Sequence, residues 1–122
     1  MAAVWDCFAA AGATHLVLSG AADTPQQVRQ IGGLLRASRV TVVRLRASRD
    51  AITGRVLARG RGVGPQLAGD ELVGQPPEVL AAAADEAWQQ QARLDEATAA
   101  DVELDTTGMA PADTAARVVA LL

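Results

Sequence analysis

The stretch RVTVVRLRASRDAITGRVLARG, residues 39–60, decides the reading of this chain. Its first eight residues, 39–46, are rich in β-branched side chains and carry the clearest strand signal in the sequence. Ser48 then stands where a helix N-cap is wanted, and the spacing of Ile52, Val56 and Leu57 predicts a helix over 49–59. A strand running directly into a capped helix is the building unit of α/β proteins.

Working outward, HLVLS at 15–19 is a short apolar run closed by Gly20. Asp23 or Thr24 can cap a following helix through about Ala37, with Pro25 in its first turn and Val28, Ile31, Leu34 and Leu35 on one face. Residues 2–11 read as a helix stopped by Gly12, with Cys7 on its apolar side as a core residue. On the other flank, 60–77 is rich in Gly and Pro and predicts a loop with a short helical turn around 67–73. Glu78 to about Thr98 is the longest predicted helix, 101–105 alternates as a strand, and Pro111 opens a terminal helix over 111–121. The order predicts one α/β domain over 1–122, with about three mostly parallel strands (15–19, 40–45, 101–105) flanked by helices.

Composition sets limits on function. The 122 residues are half hydrophobic, which excludes a disordered chain, and no run reaches the ~18 apolar residues of a membrane helix. The N-terminus has no positive region, so no signal peptide is expected, and a single cysteine suits a reducing cytoplasm. All 11 basic residues are arginine. Chemistry that needs a lysine, including the phosphate-gripping lysine of a G-x-x-x-x-G-K-[ST] loop, is therefore excluded. Residues 24–61 hold nine Arg and one acid, whereas 62–122 hold two Arg and eleven acids. These blocks can face each other within the fold, or the basic one can meet an anionic ligand. With only three aromatic residues for base stacking, no nucleic-acid partner is expected.

Three motifs can carry chemistry. Arg55 and Arg59 lie four apart at the end of one predicted helix, and Arg61 follows among glycines. Guanidinium forks bind phosphate oxygens, although arginines also settle at helix C-termini for the dipole alone. Ser19-Gly20 ends an apolar strand before a capped helix, the place where open α/β sheets hold ligands. Asp105-Thr106-Thr107-Gly108 follows the last predicted strand, where a loop can offer backbone groups to a purine or form an ordinary turn. No metal site and no catalytic group are expected.

In this order the motifs resemble the C-terminal part of a P-loop nucleotide or small-molecule kinase of the adenylate kinase-like group. LVLSG stands where that family has a strand ending in Leu-Asp-Gly, and Thr24 and Gln27 match its Thr and Gln at the same offsets. VTVVRLR leads to Arg55 and Arg59, as the family's strand leads to two arginines that open the lid. The segment 60–77 corresponds to the lid and DTTG to an adenine-contacting loop. The run AAVWDCFAAAGATHLVLSG also looks like the middle of actinobacterial P-loop ATPases.

The resemblance implies a partial three-layer P-loop fold. It implies Arg55 stacking on adenine, Arg59 and Arg61 near phosphates, the 105–108 loop at the base, and Ser19, Gly20, Thr24 and Gln27 on the substrate side. Ser19 replaces an Asp that helps organise magnesium, Asp23 replaces a phosphate-binding Arg, and Gln75 lies where the lid adds an arginine. The phosphate-loop half has no counterpart, and its strand would lie between 15–19 and 40–45. The expected function is therefore a nucleotide-binding, kinase-like module supplying lid and adenine-side residues, inactive alone. ATP and Mg²⁺ would bind only with a completing partner, an N-terminal half or a second copy; phosphotransfer or ATP hydrolysis would need that completion. The alternative is a non-catalytic interaction or regulatory domain that assembles through its open sheet slot and charged faces.

Overall fold

The computed structural model describes residues 2–20, 24–34, 39–64, 68–96 and 100–122, and in these residues five helices and two strands are interspersed along the chain. The order is α1 (Ala2–Ala10), α2 (Pro25–Gly33), β1 (Val43–Arg46), α3 (Arg49–Gly60), α4 (Pro77–Asp95), β2 (Val102–Asp105) and α5 (Pro111–Val119). The fold is mixed helix and strand, with β1 and β2 paired in parallel, Val43 opposite Val102 and Arg46 opposite Asp105.

The central unit follows its local signals. Ser48 caps α3, its hydroxyl accepting the Ala51 N–H at 3.2 Å, and Asp50 and Arg59 complement the helix dipole at the two ends. Pro77 starts α4, where a missing N–H costs nothing. Between them the loop turns twice, Val73 N–H donating to Asp70 and Gln75 N–H to Leu72. It closes when the Gly74 N–H donates to the Gly60 carbonyl at 2.9 Å, with Gly74 at φ +77°.

Helices α3 and α4 pack together around Val56, Leu80 and Ala84, flanked by Leu57, Leu72 and Ala83. Gly60 permits the close approach, because a Cβ there would overlap the Leu80 side chain. Strand alternation puts Arg44 and Arg46 on the α4 side of the sheet, where Arg44 donates to the Leu94 carbonyl at 2.7 Å. Val43, Leu45, Val102 and Leu104 therefore share the opposite face, and Leu45 there is 52% exposed. Among the described residues, no helix is long and apolar enough to cross a membrane.

Two expectations are corrected. Residues 15–19 do not form a strand, so the described sheet has two strands rather than three. A strand exists only through pairing, and among the described residues no strand pairs with this segment, which is exposed throughout. Cys7 is exposed, not core, because among the described residues no element packs on α1 closely enough to bury it; Val4 and Phe8 are exposed with it. Asp23, the end of the second predicted helix near Ala37, and Thr98 lie outside the described residues.

Candidate functional site

The carboxyl ends of β1 and β2 are stitched together by one threonine. Thr106, directly after β2, is only 5% exposed over the whole residue. Its N–H donates to the Arg46 carbonyl at 2.8 Å, and its hydroxyl donates to the same oxygen at 2.9 Å. From α3, Arg55 Nη1 donates to the Thr106 hydroxyl at 3.0 Å while Nη2 donates to the Thr106 carbonyl. That carbonyl also accepts the Met109 N–H at 3.1 Å, closing the turn over 106–109. Helix, strand end and turn thus share one node.

The next residue carries a second relay. Ser48 N–H donates to the Thr107 hydroxyl at 2.9 Å, and that hydroxyl donates to Asp105 Oδ1 at 2.6 Å. The Thr107 N–H donates to the same oxygen at 2.8 Å. These bonds hold the Asp105 carboxyl below its ordinary range, the Thr107 hydroxyl first and its amide second, with Arg46 and Arg55 nearby adding to the effect. Beside this loop a cleft of about 390 Å³ opens between the sheet and α4, lined by Arg46, Ser48, Trp88, Gln91, Asp105 and Thr107 among others. Gln91 forms its back wall, its amide accepting the Ala47 N–H at 2.9 Å and donating to the Ala47 carbonyl at 3.0 Å.

Of the arginine trio, only Arg55 meets the 105–108 loop. Arg59 turns instead to the 60–77 segment, where Nε and Nη2 grip Asp70 at 3.0 and 2.9 Å. The Asp70 side chain is 6% exposed and also accepts the Leu72 N–H at 3.1 Å. The Arg59 fork first, then the Leu72 amide, hold its carboxyl below the ordinary value. Arg61 is the C-cap residue of α3 and is exposed, with no acid paired to it among the described residues.

The remaining sequence-derived candidates lie elsewhere. Thr24 and Gln27 cap α2 reciprocally: the Gln27 side chain accepts the Thr24 N–H at 3.2 Å, and the Thr24 hydroxyl accepts the Gln27 N–H at 3.3 Å. Ser19 and Gly20 are exposed in the unpaired segment and so do not sit at a strand end. Gly108 is exposed at the tip of the 106–109 turn.

Sequence reasoning missed Trp88 and Gln91 as site residues, and the cleft brings them beside the loop. Only their three-residue spacing on α4 hinted at a shared face. The opposed charge blocks face each other: Arg44, Arg46, Arg49 and Arg59 pair with Asp95, Glu103, Asp85 and Asp70. Among the described residues no group of His, Cys, Asp and Glu is arranged to hold a metal ion. No protein-family model, no curated protein and no solved structure matches this chain.

Proposed function

We propose that the chain is the base-side part of a nucleotide-binding α/β module. The observation that carries this reading is that Arg55 and Thr106, 51 residues apart, meet at the carboxyl ends of two parallel strands. Open parallel sheets hold ligands at that end. The exposed Gly108 turn offers backbone groups to a base edge, and Arg55 is a planar cation with no acid bound to it among the described residues. Arg61, also free of an acid, lies one residue beyond the same helix. With no lysine in the chain, phosphate and Mg²⁺ would be gripped by a completing partner, and phosphoryl transfer would belong to the completed module.

The test is a titration of the isotope-labelled chain with adenosine and ATP, followed amide by amide. Shifts should concentrate on residues 105–108 and on the Arg55 side chain, saturating weakly, near about 1 mM. Arg55→Ala should remove them, and no ATP should be hydrolysed. Silence of the 105–108 amides, an undiminished response in Arg55→Ala, or turnover by the chain alone would each sink the reading.

A further inference from the structure

We propose that the cleft between the sheet and α4 holds the vicinal diol of the nucleotide's ribose, with the Asp105 carboxylate as its acceptor. This rests on the nucleotide reading above and adds the sugar to it. Strand alternation sets four charged side chains on the α4 face, Arg44 and Arg46 of β1 level with Glu103 and Asp105 of β2. Three of the four are already paired. Arg44 bonds Glu103, while Arg46 donates through Nη1 to Glu103 at 3.1 Å and through Nη2 to Asp95 at 3.3 Å. Asp105, the last residue of β2, is left without an ion pair among the described residues, although Arg46 is its direct neighbour across the sheet. Its Oδ1 accepts the Thr107 N–H and hydroxyl, whereas Oδ2 accepts no bond among the described residues. A carboxylate has about four acceptor positions, so two stay open on Asp105.

The rest of the lining selects the group that fills them. Two half-buried α4 side chains bring donors: the Trp88 indole N–H, and the second amide hydrogen of Gln91, whose first is held by the Ala47 carbonyl. Neither donor has a partner among the described residues. A phosphate would set its charge against Asp105 and Glu103, and an ammonium would meet Arg46. A neutral hydroxyl suits both sides, because it donates to the carboxylate and accepts from the N–H groups. A vicinal pair of hydroxyls matches two open positions on one acid, and the C–H flank of a sugar suits an indole wall. The volume, about 390 Å³, is within the range of small-molecule sites. Thr107 belongs both to this lining and to the 105–108 loop, so a base on the loop carries its sugar to the cleft.

The test titrates the isotope-labelled full chain with ATP and with 2′,3′-dideoxy-ATP, which keeps the base and the phosphates and lacks the diol. ATP should move the Trp88 indole and Gln91 side-chain signals together with the 105–108 amides. Dideoxy-ATP should bind at least about ten-fold more weakly, the loss expected for a hydrogen bond to a charged group. Asp105→Asn keeps an oxygen for the Thr107 N–H and hydroxyl; it should weaken ATP by a similar factor and leave dideoxy-ATP unchanged. Equal affinity for the two nucleotides, with the 105–108 amides responding to both, would overturn the diol assignment and leave the base-side reading standing. So would a Trp88 indole signal that ATP does not move, or a loss in Asp105→Asn that is equal for both nucleotides. Silence of the 105–108 amides toward both would overturn the base-side reading and this inference together.

Discussion

Thr106 ties three parts of this fold together: its N–H and hydroxyl both bond the Arg46 carbonyl at the end of β1, its hydroxyl and carbonyl take the Arg55 fork from α3, and its carbonyl closes the 106–109 turn. The consequences of losing the hydroxyl can be separated. In Thr106→Val the Arg46 carbonyl keeps its bond from the residue 106 N–H, so no buried acceptor is orphaned. Arg55 Nη1 loses a partner, but Arg55 is exposed and water can replace it. The cost should therefore fall at the low end of a buried hydroxyl deletion, about 1 kcal/mol, with Thr106→Ser costing less. Urea denaturation of the three proteins measures it. A loss above about 3 kcal/mol would mean that the hydroxyl carries a bond beyond these two. Because Arg55 Nη2 still reaches the residue 106 carbonyl, Thr106→Val should preserve the nucleotide-induced shifts that Arg55→Ala removes.

At the scale of elements, the pairing of α3 with α4 turns on Gly60. An alanine would normally help a helix by up to about 1 kcal/mol over glycine. Here its Cβ would overlap Leu80, which packs in the core against Val56 and Ala84 and can shift only by disturbing them, and overpacking costs about 1–3 kcal/mol. Overpacking wins, so Gly60→Ala should destabilise, and Leu80→Ala should relieve it: the double variant should lose less than the sum of the singles. Thermal melts of the four-protein cycle decide this, and strict additivity would remove Gly60 from the interface. The same elements mark what a sequence can show. The β1–α3 unit was legible because its signals are local: β-branched residues, then Ser48 three residues before the amide it caps. Residues 15–19 carry an equally apolar run, yet a strand needs a neighbour, and none is written into five residues. Arg55 was legible as a cation toward the end of a helix, whereas its Thr106 partner lies 51 residues away. The Arg59–Asp70 pair was invisible for a related reason: the Gly74-to-Gly60 bond folds the loop back, and only then do the two side chains meet.

For the whole molecule, the near-cancelling charge blocks become a network that joins the two halves of the sequence. Arg44 and Arg46 share Asp95 and Glu103, tying β1 to both α4 and β2; Arg59 ties α3 to the loop; Arg49 reaches Asp85 on α4. The last pair is exposed on both sides and adds little. Asp70 and Asp105 matter more for pH, since both are held below the ordinary carboxylate value of 3.8 in the folded chain. Below that value the unfolded state binds protons that the folded state refuses, so stability rises with pH there. Their contribution is complete above the unfolded pKa and fades as pH falls through the depressed folded values. The melting temperature should thus be nearly flat above about pH 5 and drop steeply on acidification through and below about pH 4. Asp70→Asn should lower the neutral-pH melting temperature and flatten part of the acid limb, because the group that titrates is gone while Arg59 keeps only a neutral acceptor. A melting temperature that rose on acidification, or an Asp70→Asn acid limb as steep as that of the parent, would show that this carboxylate does not hold the loop to α3.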